Sequence, residues 1–136
     1  MRAVLDTIIL VSGLLSSSGS PGKILDAWGA RRFELVACAA LVEEFKRVCA
    51  YPKLAPYILQ GDIGTLVNRL HGAECWLAAL PRVERSVDAD DNYLLAMAQA
   101  SEADYLVSGD GAGLLQLRSQ GRTQIVTASD FVMNLK

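Results

Sequence analysis

Two acidic residues follow apolar runs that have the composition of buried strands, one near each end of the chain. Asp6 follows Ala3-Val4-Leu5, and Asp110 follows Tyr105-Leu106-Val107-Ser108-Gly109. Sites in open α/β sheets form in the crevice beyond the carboxyl ends of the strands. Two strands that each end in an aspartate are therefore what a metal site in an α/β protein needs.

A third carboxylate lies where a helix would bury it. The helical period over residues 39–50 places Glu44 on the apolar stripe, where an unpaired carboxylate is costly. The adjacent Glu43 falls on the polar face instead, one turn from Lys46 and Arg47, with which it can pair. The periodicity thus favours Glu44 over Glu43 as a functional residue.

The fourth carboxylate belongs to the acidic run Asp88-Ala89-Asp90-Asp91-Asn92, which precedes a helical pattern. Aspartate is a good helix cap, and negative charge is favoured at a helix N-terminus. Asp88 and Asp90 are predicted to be cap and loop residues. Asp91 shares a helical face with apolar residues and is predicted to point into the protein; those residues are Leu94, Leu95 and Ala98.

Converging carboxylates repel one another, and a bound divalent cation removes that conflict. Mg²⁺ and Mn²⁺ take hard oxygen ligands, and with a phosphodiester substrate such metals activate a water and stabilise the leaving oxygen. The four acids therefore predict a site for metal-assisted hydrolysis. The competing interpretation is that each aspartate at a strand end is a turn or cap residue.

The remaining elements alternate between strands and helices, which predicts an α/β fold with a mostly parallel sheet covered on both faces. Pro21–Ala30 is predicted to be a helix capped by Ser20, and Pro56–His71 one or two short helices broken at Gly61. Cys75–Ala79 is predicted to be a strand or an irregular link. The other predicted elements are strands Arg2–Leu5, Phe33–Val36, Tyr105–Ser108 and Gln124–Thr127, helices Ala39–Ala50 and Gly113–Arg118, and a last short helix capped at Ser129 or Asp130.

Length and composition indicate a single domain over residues 1–136. The chain is 51% hydrophobic and 21% charged, which favours a well-buried core over disorder. A net charge of −2 gives no bulk positive field, so an anionic substrate would need a local basic patch or bound cations.

Cys38, Cys49 and Cys75 are an odd set and are predicted to be buried and reduced. With no signal peptide and no membrane span expected, the predicted location is cytoplasmic.

Other chemistry finds little support in the residues. His71 is the only histidine, and no serine lies in a G-x-S-x-G motif, so no nucleophile–base pair is indicated. Trp28 and Trp76 are predicted to be core residues rather than stacking platforms for bases. Residues 109–113 are glycine-rich but lack the Lys-Ser/Thr of a phosphate loop.

In combination, four segments resemble the PIN-domain family of metal-dependent ribonucleases, most closely the VapC-like toxins of toxin–antitoxin pairs. The segments, in order, are Leu5-Asp6-Thr7 with Leu10-Val11-Ser12, Glu44-Phe45-Lys46-Arg47-Val48 with Tyr51-Pro52-Lys53-Leu54, Asp88-Ala89-Asp90-Asp91-Asn92, and Ala103-Asp104-Tyr105-Leu106-Val107-Ser108-Gly109-Asp110 with Leu114-Leu115. The family's acidic quartet falls on Asp6, Glu44, Asp91 and Asp110, and its hydroxyl residue before Gly-Asp falls on Ser108.

The resemblance implies a three-layer α/β/α PIN-like fold and hydrolysis of RNA with Mg²⁺ or Mn²⁺ held by the quartet. It implies that the Ser108 hydroxyl holds a water of the metal, and that the partners are RNA, a small antitoxin protein and a second copy of the chain in a homodimer. The Pro56–His71 segment is the expected dimer face. Basic residues near the motifs are candidates for RNA contact or, equally, solvated surface charges: Arg31, Arg32, Lys46, Arg47 and Lys53.

Two departures from the family pattern leave alternatives open. Ile8 stands where the family usually has asparagine, and Gly111, Ala112 and Gly113 occupy the region where many members carry a further acid. Both changes remove polar groups that would support a metal site. One alternative is a degenerate PIN domain that binds RNA or a protein without cleavage. Another is a small-molecule phosphatase or nucleotide-binding protein that uses the same aspartates.

Overall fold

The computed structural model describes residues 1–86, 88–109 and 113–135. Within these ranges the strands are β1 (Arg2–Leu5), β2 (Glu34–Cys38), β3 (Cys75–Leu77), β4 (Tyr105–Val107), β5 (Ser119–Gln120) and β6 (Thr123–Val126). The helices are α1 (Thr7–Leu15), α2 (Ser20–Gly29), α3 (Ala39–Cys49), α4 (Gln60–His71), α5 (Asn92–Ser101), α6 (Leu114–Leu117) and α7 (Ala128–Asn134). Short 3₁₀ turns form at Ala55–Tyr57 and Ala89–Asp91.

The six strands form one sheet in the order β3-β2-β1-β4-β6-β5. All neighbouring pairs are parallel except β5 with β6, which are antiparallel and joined by a tight turn. In the chain direction the sheet grows from β1 to β2 and β3, and then on the other side of β1 from β4 to β6. The right-handed rule for crossover connections places helices on both faces of such a sheet. The predicted three-layer α/β/α fold with a mostly parallel sheet is confirmed.

The core is apolar and continuous across the sheet. The central strands contribute fully buried residues such as Val4, Leu35 and Leu106, and α5 is buried along most of its length. On the opposite face, α1 contacts both α2 and α3, and α7 lies against α2 and β4. Phe131 of α7 makes edge-to-face contacts with Phe33 and Tyr105.

The largest addition to the predicted elements is α1, for which no helix was predicted. The run Ile8–Val11 is β-branched and apolar, and such short runs do not distinguish a strand from a buried helix. In the fold, Ile9, Leu10 and Val11 are buried while Ile8 is exposed, so the run has a buried and an exposed side. Within the described residues, no single helix is long and apolar enough to cross a membrane, although α1 and α2 together pass on length and composition with a 97° bend between them.

Several predicted boundaries and caps were wrong by small amounts. Gly19, not Ser20, occupies the N-cap position of α2, and the break in the Pro56–His71 segment lies at Ile58–Leu59, before Gly61. The side chain of Thr127 caps α7 by accepting from the Asp130 amide at 3.1 Å, so neither Ser129 nor Asp130 is the cap. Each error is a shift of one to three residues at a helix end, which local sequence alone does not resolve.

Two of the three cysteines are buried as predicted, whereas Cys75 is only partly buried, and one tryptophan differs from its prediction. All three cysteines are free; Cys38 and Cys49 are buried, and burial raises the pKa of both thiols. Trp28 is a core residue, but Trp76 is 38% exposed, and its ring lies 5.1 Å from the ring of His71. Trp76 is exposed because it points outward from β3, the edge strand of the sheet.

Candidate active site at the carboxyl edge of the sheet

Asp6 lies where β1 passes into α1. Its backbone amide donates to the Val107 carbonyl at 2.9 Å, which extends the β1–β4 ladder by one residue. Its own carbonyl accepts from the amides of Ile9 and Leu10 and so starts the helix. Asp6 occupies the N-cap position, yet its carboxylate makes no capping bond to α1, all of whose backbone the structure describes. Asp6 is half-buried, and it lies at the positive end of α1, where negative charge is stabilised.

Ser108 orients the Asp6 carboxylate. Leu5 pairs with Val107 across the parallel strands, so the next residues, Asp6 and Ser108, emerge side by side. The Ser108 hydroxyl donates to Asp6 Oδ2 at 3.3 Å, and Ser108 is 1% exposed. The resemblance implied that this hydroxyl holds a water of the metal; in the structure it holds the carboxylate itself.

A pair of hydroxyls lies beside Asp6, one on a buried residue and one on a partly buried residue. Thr7 is 4% exposed, and its Oγ1 is 3.1 Å from the hydroxyl of Tyr93 on α5. Burial is the main reason that the pKa of Tyr93 is raised far above its ordinary value of 10, and the negative charges of Asp6 and Glu44 add to the effect. Tyr93 therefore stays neutral, and the two carboxylates lie close enough to influence its hydroxyl.

The two adjacent glutamates of α3 differ as predicted. The Glu44 side chain is 27% exposed, whereas that of Glu43 is 74% exposed and pairs with Lys46 at 3.6 Å. One detail of the prediction is wrong, because Arg47 pairs with Glu44 and not with Glu43; its Nε lies 3.4 Å from Glu44 Oε2. The bond to Glu44 raises the pKa of Arg47.

Asp91 lies at the start of α5. The Asp88 carboxylate accepts from the Asp90 amide at 3.0 Å, which confirms Asp88 as a cap. Asp91 is the last residue of that 3₁₀ turn and occupies the N-cap position of α5. Asp91 is half-buried, and a methyl group in place of the Gly113 hydrogen would lie 3.9 Å from Asp91 Oδ2. The chain therefore returns beside Asp91 at Gly113.

Asp110 lies outside the described residues, so its place relative to the other acids stays a prediction. Among residues 1–86, 88–109 and 113–135, no group of three or more histidine, cysteine, aspartate or glutamate residues is close enough to hold a metal ion. The carboxylates of Asp6, Glu44 and Asp91 have the oxygen chemistry that Mg²⁺ prefers. The described residues alone, however, do not complete a metal site.

Ile8 borders the site where the family usually has asparagine. Its side chain is 42% exposed, and a methyl group on Gly109 would lie 2.9 Å from Ile8 Cγ2. Only glycine fits at position 109 unless Ile8 moves. The rim of the site next to Asp6 is therefore apolar and closely packed against the chain that leads toward Asp110.

The candidate RNA-contacting residues separate into two locations. Arg31 and Arg32 precede β2, and the Glu34 amide bonds to the Met1 carbonyl, so both arginines lie at the amino edge of the sheet, opposite Asp6. Arg32 donates to the Leu135 carbonyl there. Lys46 and Arg47, in contrast, line an open surface cavity of about 510 Å³ together with Ala40, Glu43 and Glu44.

The sequence analysis did not identify Tyr93 as a residue of the site or as the hydrogen-bond partner of Thr7. A signal was present: Tyr93 is the one hydroxyl residue within the apolar start of α5, and Thr7 directly follows Asp6. The strand order alone brings these two positions together, because β1 and β4 are neighbours and α5 crosses beneath them.

Asp6 ends a central strand beside Ser108 of the neighbouring strand, at the edge of the sheet where open α/β proteins bind their ligands. The family model described as PIN domain matches residues 2–112, and the chain belongs to the PIN-domain family. The fold is of the nuclease type that this family defines.

A curated relative adds similarity without a known activity. The chain is 27% identical over 125 residues to the uncharacterized protein MJ1680 of Methanocaldococcus jannaschii. The match covers 90% of this chain and 78% of that protein. No solved structure gave a significant match.

Proposed function

We propose that this PIN domain is a metal-dependent endoribonuclease. The observation that carries the proposal is the arrangement around Asp6: its carboxylate is oriented by Ser108 at the positive end of α1. The negative charges of Asp6 and Glu44 both help to raise the pKa of the partly buried Tyr93. An arrangement that collects negative charge in a half-buried place is costly unless a cation or proton offsets it.

The metal would be Mg²⁺ or Mn²⁺, held by Asp6, Glu44, Asp91 and Asp110. A divalent cation there supplies Lewis-acid chemistry, which polarises a phosphoryl oxygen and lowers the pKa of a water. The chain's own residues supply the rest. Ser108 fixes the orientation of Asp6, and the helix dipole of α1 stabilises its ionised form.

The cavity lined by Lys46 and Arg47 is the proposed place for the RNA backbone. Both cations lie on α3 next to Glu44, and Arg47 is bonded to Glu44 while its guanidinium lies 5.4 Å from the centre of the Tyr51 ring. Since the whole chain has a net charge of −2, RNA binding would depend on such local cations and weaken with salt. Arg31 and Arg32 are not part of this proposal, because they lie at the opposite edge.

The resemblance to VapC-like toxins supports a narrower proposal: this nuclease is the toxin of a toxin–antitoxin pair, acts in the cytoplasm and forms a homodimer. Tyr57 and Leu59, between α3 and α4, are 76% and 72% exposed, which is costly for large apolar side chains in a monomer. They fall in the segment expected to form the dimer face.

The alternative is a degenerate PIN domain that binds RNA or a protein without cleavage. Ile8 favours it, because an exposed apolar side chain stands beside Asp6 where the family usually has a polar amide. An apolar rim excludes water, and it gives no hydrogen bond to the site.

The deciding experiment is cleavage of a mixed pool of structured RNAs with Mg²⁺ or Mn²⁺. It compares wild type with Asp91→Asn and with an EDTA control, and Asp26→Asn, an exposed acid on α2, serves as the matched variant. The proposal expects metal-dependent cleavage by wild type and Asp26→Asn that disappears in Asp91→Asn and in EDTA.

Absence of cleavage by wild type with either metal would contradict the nuclease proposal and favour the binding module. The next variant would then be Ile8→Asn, which restores the polar group of the family. If Ile8→Asn gains cleavage that wild type lacks, the degenerate reading of the site is correct.

A further inference from the structure

A hydrogen bond between Thr7 and Tyr93 joins α1 to α5 beside the candidate site. Thr7 is the first residue of α1, and Tyr93 is the second residue of α5. Their oxygens lie 3.1 Å apart, and Thr7 is 4% exposed. Tyr93 is partly buried, and a buried hydroxyl without a partner is unfavourable, so the Thr7 hydroxyl depends on that of Tyr93.

The bond joins the two segments that carry two of the predicted acids. Asp6 directly precedes Thr7, and Asp91 lies two residues before Tyr93. The two segments are otherwise 85 residues apart in the chain and lie on different elements, β1–α1 and α5. Any change in the angle between the N-termini of α1 and α5 would change the separation of the two carboxylates.

The residues that follow Thr7 on α1 and Tyr93 on α5 are mostly apolar, so this polar bond lies next to apolar segments of both helices. On α5 the next residues are Leu94, Leu95, Ala96, Met97 and Ala98, all of them buried. On α1 the following buried residues are Ile9, Leu10 and Val11. Apolar contacts fix separation but tolerate sliding, whereas a buried hydrogen bond has a preferred length and direction.

We propose that Tyr93 is a positioning residue: through its hydrogen bond to Thr7 it fixes the start of α1 against the start of α5 and so sets the geometry of Asp6 relative to Asp91. This inference rests on the proposed nuclease function. It assigns no chemical step to Tyr93, which acts only through the two carboxylates.

The variants that test it are Tyr93→Phe, Thr7→Val, Thr7→Ser and the double change Tyr93→Phe with Thr7→Val. Thr7→Val keeps the shape of the side chain but removes the hydroxyl, and Thr7→Ser keeps the hydroxyl. Tyr105→Phe is the matched control, since Tyr105 is partly buried like Tyr93 but lies at the opposite end of β4 from Ser108, with its ring against Phe131. Urea unfolding of each variant verifies that it is folded.

The measurements are kcat and KM for RNA cleavage with Mn²⁺, and the affinity for Mn²⁺ alone by calorimetry. We expect Tyr93→Phe and Thr7→Val each to lower kcat about 10–100-fold with KM for RNA unchanged, the range seen when groups that orient metal ligands are removed. The double variant is expected to be no worse than either single variant, and Thr7→Ser and Tyr105→Phe to behave like wild type.

Unchanged kcat in both single variants, with a loss of stability alone, would overturn the inference and leave the bond a structural one. If wild type does not cleave RNA, the proposed function fails, and Mn²⁺ affinity then decides the inference separately. Weaker Mn²⁺ binding in Tyr93→Phe and Thr7→Val, restored in Thr7→Ser, supports it; equal or absent binding in wild type and variants overturns it.

Discussion

At the scale of residues, the adjacent Glu43 and Glu44 show how a helical period assigns different environments to identical side chains. Glu43 is exposed and pairs with Lys46, and such surface pairs contribute at most about 1 kcal/mol. Glu44 is half-buried, and its charge reaches the hydroxyl of Tyr93. The two positions therefore offer an internal comparison in which chemistry, helix and neighbours are nearly matched.

We expect Glu44→Gln to lower RNA cleavage by about 10–100-fold, because glutamine removes a charge near the metal ligands while keeping the shape. Glu43→Gln is expected to cleave within about twofold of wild type. Initial rates on one RNA at saturating Mn²⁺ provide the measurement. Equal rates for the two variants would show that Glu44 is not part of the site.

At the scale of elements, Glu74 joins three segments of the chain. It directly precedes β3, and its Oε1 accepts from the Leu35 amide of β2 at 2.9 Å and from Trp28 Nε1 of α2 at 3.0 Å. Partial burial acts to raise the pKa of Glu74, but the hydrogen bonds and the Arg31 charge outweigh it, and the pKa is lowered. The ionised carboxylate is thus the form that stabilises the edge of the sheet.

A lowered pKa in the folded state gives stability that is present above the ordinary pKa of glutamate and is lost as pH falls through the lowered value. We expect wild type to be more stable than Glu74→Gln at neutral pH, by about 1 kcal/mol or less because Glu74 is exposed to solvent screening. The difference should narrow from about pH 5 downward. Urea unfolding at a series of pH values measures it; a difference independent of pH would contradict the assignment.

The capping bond of α7 makes a second prediction for an element. Thr127 accepts from the Asp130 amide, and loss of such a cap costs about 1 kcal/mol. Thr127→Ala is therefore expected to lower the free energy of unfolding by about that amount. Ser129→Ala, which lies in the first turn, should change it by only a few tenths of a kcal/mol. Urea unfolding measures both variants, and equal free energies of unfolding for Thr127→Ala and Ser129→Ala would contradict the assignment of the cap.

At the scale of the whole molecule, we expect the apolar core to hold the fold without the predicted metal. The buried residues form one continuous cluster that includes residues from the strands β1, β2, β4 and β6 and from every long helix. Asp6, Glu44 and Asp91 are half-buried and are not members of that cluster. Metal and core should therefore be separable in experiment.

We expect EDTA to abolish RNA cleavage while the protein remains folded, with near-native circular dichroism and cooperative thermal unfolding. Added Mn²⁺ should raise Tm, because an ion that binds only the folded state stabilises it and relieves repulsion among carboxylates. The rise should be absent in Asp6→Asn with Asp91→Asn. Unfolding in EDTA alone would show instead that the metal has a structural role.

The proposed homodimer gives a further prediction for the whole molecule. If the exposed pair Tyr57 and Leu59 lies at the dimer face, Leu59→Asp should convert a dimer into a monomer, because a buried unpaired charge is costly. Met133→Asp, another exposed apolar residue, is the control on α7. Sedimentation equilibrium distinguishes the outcomes; a wild-type monomer would contradict the dimer.

The sequence by itself determined the class of fold and the side of α3 that Glu44 occupies, because both follow from local periodicity and from the alternation of strands and helices. It also identified Asp88 as a cap in the Asp88–Asn92 run. The prediction that the site lies beyond the carboxyl ends of the strands followed from the expected parallel sheet. These features depend on neighbours within one or two helical turns.

Only the tertiary structure decided which hydroxyls lie beside Asp6. Ser108 reaches it through the register of β1 and β4, and Tyr93 reaches Thr7 across the two layers. The same holds for α1, whose apolar run fits a strand or a helix equally until the sheet order leaves no place for another strand beside β1. The tertiary structure also decided that Arg31 and Arg32 lie at the amino edge of the sheet, opposite Asp6. The edge on which a residue lies depends on the direction of its strand and not on its distance along the chain.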